Sequence, residues 1–279
     1  MKSLILYEKP PIKDGDLLVG FGGWPNAGEV STRTILSLRT KLKAKKFGEI
    51  EPYEFYDLTS LRPTVEIRSG EIKKLFLPKN EFFYSKEPPV ILLLGVEPQL
   101  GWKKFSQIIL KIAKDTKTKR IITIGGTLDR VHHLSPTLIT AVVNEKELKK
   151  ELWGLRYIEY EGPSSFHTFL LKEAKREKIK AISLWAHTPV YIRGYNPKTC
   201  YDTLRKLEEL LNIELDLEDI KRVSEMFEKE IDRAVKEKPE LLEFVKSIEE
   251  PPEIDSTEII REIEEFLRKK DGENKSDIP

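Results

Sequence analysis

The sequence contains only one cysteine, Cys200, and four histidines. A single cysteine cannot form a disulfide within the chain, and the cysteine and histidine spacing of a zinc site is absent from the sequence. No apolar run approaches the roughly 18 residues of a membrane span. Residues 1–8 are typical of a short strand and not of the apolar segment of a signal peptide. We therefore expect a soluble, cytoplasmic protein with no metal site and no membrane contact.

The chain also lacks a dominant sign of charge. Its 48 Lys and Arg residues nearly balance its 47 Asp and Glu residues, which leaves a formal net charge of +1. This balance provides no basic field to attract nucleic acid, so we expect no nucleic-acid partner. Charged residues make up 34% of the sequence, and glutamine occurs only at Gln99 and Gln107. That composition resembles the composition of thermophilic proteins.

Predicted strands alternate with predicted helices through residues 1–214. The continuous apolar run at residues 90–96 is typical of a strand buried on both faces. Other strands are predicted at residues 3–7, 17–19, 53–58, 120–124, 138–143, 155–160 and 181–185, with a hairpin at 62–72 that turns at Ser69-Gly70. Helices are predicted at residues 27–45 and 197–211, and after positions 101, 145 and 165. The alternation predicts an α/β fold with a mainly parallel sheet covered on both faces.

From Asp216 onward, apolar residues recur at spacings of three and four, which predicts amphipathic helices. We therefore divide the chain into a core domain (1–214), a C-terminal helical extension (215–269) and a polar tail (270–279) that we expect to be disordered. Two interpretations of the extension remain open, since its apolar stripe can pack on its own core or meet a neighbouring subunit. The candidate oligomer-interface residues are Ile220, Val223, Phe227, Ile231, Leu242, Ile263 and Phe266.

A glycine-rich stretch, residues 20–28, joins the strand at 17–19 to the first helix. A dinucleotide-binding fingerprint that starts at Gly20 needs a small residue at position 25, which is Pro25. A P-loop from Gly23 to Gly28 needs Lys and then Ser or Thr, but a glutamate and a valine follow. Both nucleotide motifs fail, so a structural strand-to-helix turn is the favoured interpretation.

Four predicted turns follow strands, and the carboxyl ends of parallel strands meet at one edge of a sheet, where ligands usually bind. A Ser, His and Asp catalytic triad could be assembled there only by an arbitrary choice of residues. The Gly-x-Ser-x-Gly motif of a nucleophilic serine is also absent from the sequence. His132 and His133 would point to opposite sides of a strand, so they cannot share a metal ion. We predict no catalytic residue. The candidate ligand- or partner-binding residues are Gly22, Gly23, Trp24, Asn26, Gly28, Glu97, Trp102, Gly125, Trp185 and His187.

Several short motifs lie at these turns, over about residues 15–215. The most specific are Glu97-Pro98 with Trp102 and Phe105, and Ser183-Leu184-Trp185-Ala186 with Pro189 and Tyr191. The others are Gly22-Gly23-Trp24-Pro25-Asn26-Ala27-Gly28, Asp57 with Arg62-Pro63, and Tyr160-Glu161-Gly162-Pro163. Together and in this order, the motifs resemble those of the proteasome assembly chaperone family of archaea and actinobacteria.

The resemblance implies a Rossmann-like three-layer sandwich similar to nucleoside phosphorylases, without their chemistry and without a cofactor. It also implies a non-catalytic homo-oligomer, of archaeal type, that assists the assembly of proteasome α-subunits. Some archaeal members look like they dock through a C-terminal hydrophobic-Tyr-any tripeptide. This sequence ends in Ser276-Asp277-Ile278-Pro279, so we expect no docking by that route, and a family member with another partner remains an open alternative. The alternative is an enzyme that binds a nucleoside or nucleotide at the turns around Gly22, Glu97 and Gly125.

Overall fold

The computed structural model describes residues 3–152 and 154–249, which divide into two compact units between Asp232 and Arg233. The strands are β1 (Leu4–Leu6), β2 (Asp16–Gly22), β3 (Lys45–Ile50), β4 (Thr64–Arg68), β5 (Glu71–Phe76), β6 (Asn80–Ser85), β7 (Val90–Val96), β8 (Arg120–Asp129), β9 (Ile139–Val143), β10 (Arg156–Tyr157) and β11 (Lys180–Pro189). The helices are α1 (Val30–Lys41), α2 (Trp102–Asp115), α3 (Phe166–Arg176), α4 (Pro197–Leu211), α5 (Glu218–Glu237) and α6 (Pro239–Glu249).

Nine strands of the described chain form one sheet in the order β1-β3-β6-β7-β2-β8-β11-β9-β10. The central strands β7, β2, β8 and β11 are parallel to one another, whereas β6, β3 and β1 continue the sheet antiparallel on one side and β9 pairs antiparallel with β11 on the other. The central strands are nearly continuous apolar runs because both of their faces are buried. The predicted α/β class is confirmed, and the parallel part of the sheet is its centre.

Helices cover both faces of this sheet. On one face, α2 and α3 pack Phe105 and Phe166 against Phe21 of β2, with ring centroids 5.9 and 5.7 Å from that of Phe21. On the other face, the buried apolar side chains of α1 and α4 include Leu38 and Leu204. Each fully buried side chain of this size contributes about 1.5–3 kcal/mol to folding. The expected three-layer sandwich is therefore confirmed.

The segment 53–58, predicted as a strand, consists of turns instead. Its two inward aromatic residues explain the misleading alternation. Phe55 is fully buried with its ring edge-on to Phe105, at 4.9 Å between centroids, and the Tyr56 hydroxyl donates to the carbonyl oxygen of Val96 at 2.6 Å. The pattern arises because a loop inserts side chains into the core.

Three further elements differ from the prediction. The first helix ends at Lys41 and not at residue 45, where β3 begins, and β6 lies in a segment predicted to be polar connection. The predicted strand at 155–160 contracts to the two residues of β10. Because β3, β6 and β10 are short or lie outside the parallel centre, their sequences lack the continuous apolar run that identifies β7.

Strands β8 and β11 run four or five residues past their predicted ends and stay paired from Arg120–Lys180 to Asp129–Pro189. Gly125 and Gly126, predicted as a turn, lie inside β8. A Cβ atom at position 126 would meet the carbonyl oxygen of Ala27 at 2.1 Å. The glycine therefore marks a close approach of two backbones and not the end of a strand.

The predicted hairpin at residues 62–72 is confirmed, with its turn at Ser69-Gly70. Strands β4 and β5 form a separate two-stranded sheet. Ser69 and Gly70 both have positive φ angles, 49° and 78°. Such angles at both central residues are typical of the type I′ turn, whose twist matches that of a hairpin.

Two amphipathic helices, α5 and α6, follow the core, and α6 begins at Pro239, a favoured first helical residue. The predictions for Ile263, Phe266 and residues 270–279 lie outside the described residues. No helix in the described ranges is both long and apolar enough to cross a membrane.

His167, the second residue of α3, is fully buried between the rings of Phe21 and Trp185, each 5.7 Å away between centroids. Burial lowers the pKa of His167 from 6.5 to about 3, because the charged imidazolium loses its hydration. The side chain is therefore neutral in the folded protein near pH 7.

We predict that His167 makes the fold sensitive to acid. Its folded pKa lies below its unfolded pKa, so the unfolded chain binds the proton first and stability falls as the pH drops below 6.5. The expected loss of unfolding free energy is about 1.4 kcal/mol per pH unit, or about 2 kcal/mol between pH 6.5 and 5.

Urea unfolding at both pH values should show this slope in the wild type and a reduced slope in His167→Phe. His132→Gln, a loop substitution, controls for the loss of a histidine. An unchanged slope in His167→Phe would contradict the prediction.

Candidate interaction surface at the carboxyl edge of the sheet

At the carboxyl edge of the sheet, the glycine-rich turn after β2 lies between the end of β7 and the glycine segment of β8. Gly22 of β2 pairs with Val96 of β7, and the backbone N–H of Glu97 donates to the carbonyl oxygen of Gly22 at 2.8 Å. On the other side, Asn26 forms an isolated bridge with Gly126 of β8. The glycine-rich turn is thus attached to both neighbouring strands.

Asn26 uses its side chain to start α1. Its carbonyl oxygen Oδ1 accepts the backbone N–H of Thr32 at 3.0 Å, and its Nδ2 donates to the Thr32 hydroxyl at 3.1 Å. These bonds occupy the amide groups that a sugar or base edge would need. Gly28, at φ 62°, places its carbonyl oxygen 2.9 Å from the backbone nitrogen of Asn196. A Cβ there would lie 3.2 Å from side-chain atoms of Thr188 and Asn196, so the turn is a packed structural element.

Glu97 joins two segments that are distant in sequence. Its carboxylate accepts the backbone N–H of Phe166 at 2.7 Å, at the start of α3, and also the backbone N–H of Trp24 in the glycine-rich turn. Burial raises the pKa of Glu97, and the two backbone bonds oppose that shift. Its oxygens therefore satisfy backbone donors, which include an otherwise unpaired N–H of the first turn of α3.

Trp24 stands out on this edge because 61% of it is exposed. Its ring lies edge-on to that of Trp185, with centroids 6.3 Å apart. Trp185 lies over the sheet where Gly125 has no side chain, since a Cβ at that position would be 2.7 Å from the indole. The third predicted indole, Trp102, packs between Phe166 and Phe169 and donates to the carbonyl oxygen of Pro98 at 2.6 Å. Trp102 therefore supports the core, while Trp24 faces solvent.

The structure brings together an unpredicted chain of polar side chains. The Asp129 carboxylate lies 2.7 Å from Nδ1 of His187, and Nε2 of His187 lies 3.1 Å from the Thr140 hydroxyl. A proton on Nδ1 lets Nε2 accept from the hydroxyl, as in a hydrolytic triad. Thr140, however, is only 2% exposed, so a substrate cannot reach its oxygen. The chain of bonds ties β8, β11 and β9 together. No sequence motif indicated Thr140, because only the strand order places it beside His187.

The sequence predicted His132 and His133 on opposite sides of a strand, and this prediction is wrong. They lie in the loop between β8 and β9, and their rings stack with centroids 4.4 Å apart. Burial lowers the pKa of His133, whose Nδ1 lies 2.9 Å from the Tyr191 hydroxyl. Among the described residues, no group of three His, Cys, Asp or Glu side chains is arranged to hold a metal ion.

The spaces beside this edge are small or open. A cavity lined by His133, His187 and Phe227, among others, has a volume of about 10 Å³, roughly that of one water molecule. A shallow groove of about 240 Å³ lies next to it, lined by Leu134, Glu225, Glu228, Lys229 and Asp232. Typical small-molecule sites enclose about 300–1,000 Å³. Neither space has the form of a nucleoside site.

The candidate interface residues of α5 lie in three environments. Phe227 and Ile231 line the small cavity, and Ile220 packs on the core. Val223 is 48% exposed, and Leu242 of α6 is partly buried. A role for these residues in an oligomer stays a prediction.

We predict that Glu97→Ala lowers the free energy of unfolding by about 1–3 kcal/mol, because it leaves the backbone donors of Trp24 and Phe166 unpaired. Glu97→Gln retains one acceptor and should lose less. Chemical denaturation of both variants measures the effect, with Glu161→Ala, an exposed glutamate, as the control. Wild-type stability in Glu97→Ala would mean that the carboxylate has no structural part and is available to a ligand.

Comparisons with known proteins agree with this architecture. The crystal structure of the Mycobacterium tuberculosis proteasome-assembly chaperone homologue Rv2125 is similar to this fold, with a TM-score of 0.76, 26% identity, and coverage of 82% of this chain and 99% of that chain. Pyrococcus furiosus PbaB, described as an archaeal proteasome activator, has a TM-score of 0.67 and 26% identity, with coverage of 85% and 100%.

The chain is also similar to the uncharacterized protein MJ1210 of Methanocaldococcus jannaschii, with 25% identity over 251 residues, which is 87% of this chain and 90% of that protein. The model of the PAC2 family matches residues 20–235, well over half of the sequence. This match contains the glycine-rich turn, Glu97, the Trp24–Trp185 pair and the central strands β7, β8 and β11, and it begins within β2. The chain therefore belongs to the PAC2 family.

Proposed function

We propose that the protein is a non-catalytic, homo-oligomeric chaperone or scaffold that assists the assembly of proteasome α-subunits. The observation that carries this proposal is the exposed indole of Trp24, on a turn that is attached to both neighbouring strands. The polar side chains around it, Asn26 and Glu97, form hydrogen bonds within the protein itself. Large apolar side chains are also exposed on neighbouring strands and loops of the same edge, at Leu100, Leu128 and Leu134, each slightly over half exposed. Exposed aromatic and aliphatic residues on a rigid frame are typical of a protein-docking surface.

The roles described for two relatives support a proteasome partner. Rv2125 is described as a proteasome-assembly chaperone homologue, and PbaB as an archaeal proteasome activator. Each is 26% identical to this chain and is almost fully covered by it. Assembly on α-subunits is therefore the partner class we favour.

The alternative, nucleoside binding around Gly22, Glu97 and Gly125, has less support from the geometry. The Glu97 carboxylate and the Asn26 amide are engaged by backbone and by Thr32, and the cavity beside His187 is the size of one water. The indole of Trp185 occupies the space above Gly125. A base would have to displace this side chain before it could stack there.

We predict that the wild-type protein binds proteasome α-subunits of the same organism and that Trp24→Ser weakens binding at least tenfold, because a central exposed indole is a typical hot spot. Native mass spectrometry with purified α-subunits measures the complex, and titration measures the affinity. Tyr7→Ser is the matched control, since Tyr7 is 56% exposed but follows the edge strand β1.

The two parts of the proposal fail separately. A wild-type protein that does not bind α-subunits would overturn the proteasome partner. Equal affinities for wild type and Trp24→Ser would overturn the assignment of the docking surface to Trp24.

A further inference from the structure

Leu134 lies in the loop between β8 and β9, and it is 52% exposed on a backbone that is held from several sides. The N–H of Leu134 donates to Nδ1 of His132 at 3.1 Å, and the N–H of Ser135 donates to the carbonyl oxygen of His132, also at 3.1 Å. The N–H of His133 donates to the hydroxyl of Tyr191 at 2.8 Å. The loop is thus closed on itself and tied to the segment that follows β11.

A single ammonium group fixes the carbonyl side of this loop. Nζ of Lys198 donates to the carbonyl oxygens of His133 at 2.7 Å and of Ser135 at 2.9 Å, which are the residues on either side of Leu134. Its third bond, also 2.7 Å long, is the ion pair with Glu228 of α5. An ammonium group has three donors, so Lys198 uses all of them here. Two of the three hold the backbone that presents Leu134.

The helix that carries Lys198 does not explain the choice of a lysine. Lys198 is the second residue of α4, which begins at Pro197. The first turn of a helix carries a partial positive charge, which disfavours a cation there. The side chain is also only 14% exposed, and ordering a long lysine side chain costs conformational entropy. The contacts that offset these costs are those to the loop and to Glu228.

An ordered loop lowers the cost of binding, because its backbone and its anchor side chain need no further ordering when the partner arrives. The bonds of residues 132–135 already engage three N–H groups and three carbonyl oxygens, so the aliphatic side chain of Leu134 is the main group that the loop offers. The groove of about 240 Å³ beside Leu134 leaves space for the wall of a pocket around this side chain. The matching surface on a partner is an apolar pocket.

We propose that Leu134 is an aliphatic anchor that inserts into an apolar pocket of the partner protein, and that Lys198 is the residue that positions it. The inference rests on the proposed function and gives the chemistry of one contact within it. Leu134 and the indole of Trp24 are then two anchors on the same edge of the sheet, each held by bonds from distant parts of the chain.

The first test needs no partner. Hydrogen exchange is followed by mass spectrometry in the wild type, Lys198→Met and Lys206→Met. Lys198→Met should speed exchange in peptides that cover residues 132–135 at least tenfold, because the loop loses two of its bonds, and should leave the peptides of α1 unchanged. Lys206→Met is the matched control, since it removes an ion pair with Glu209 within the same helix. Unchanged exchange at residues 132–135 in Lys198→Met would overturn the positioning role.

The second test measures the affinity for proteasome α-subunits in a double-mutant cycle. Leu134→Ser and Lys198→Met should each weaken binding at least fivefold. The double variant should bind at most twofold more weakly than Leu134→Ser, because Lys198 acts through Leu134. A lysine that merely stabilises the fold would weaken binding by the same factor in both backgrounds. That result, or a Leu134→Ser protein with wild-type affinity, would overturn the inference.

The outcomes separate this inference from the proposed function. A wild type that does not bind α-subunits would overturn the proteasome partner, and faster exchange in Lys198→Met would then still support Lys198 as the residue that positions the loop. A wild type that binds α-subunits while Leu134→Ser binds equally well would retain the partner and remove Leu134 from the docking surface.

Discussion

The carboxylate of Glu97 holds together parts of the chain that no local interaction would join. It accepts backbone N–H groups from Trp24, in the turn after β2, and from Phe166, at the start of α3. Its own backbone nitrogen donates to Gly22. The exposed indole of Trp24, the first turn of α3 and the end of β7 are therefore fixed relative to one another. Without this carboxylate, the backbone N–H groups of Trp24 and Phe166 would lose this acceptor at the edge that carries the candidate surface.

At the same edge, three polar residues resemble a catalytic triad but serve to connect strands. Asp129, His187 and Thr140 have the order of groups found in hydrolytic triads, at hydrogen-bonding distances. The buried Thr140 hydroxyl and the water-sized cavity beside His187 leave no room for a substrate. The geometry therefore favours a role in which polar groups stabilise strand ends while apolar side chains face outward.

The hairpin and the carboxyl edge are two separate exposed apolar surfaces. One carries indole and leucine side chains on loops fixed to the parallel strands, and the other carries four aliphatic side chains on a two-stranded sheet.

The sequence by itself determined the elements whose residues are buried on both faces or repeat with a clear period. The apolar run of β7, the Ser69-Gly70 hairpin and α4 are found where their patterns predict them, because burial and turn geometry restrict the residue types allowed there. Only the tertiary structure decided which side chains meet. The loop at 53–58 has the sequence pattern of a strand because its aromatic rings pack in the core. Gly126 has the residue type of a turn because the backbone of Ala27 approaches it closely. The pairing of Glu97 with Phe166, or of His187 with Thr140, depends on strand order, which residue spacing along the chain does not specify.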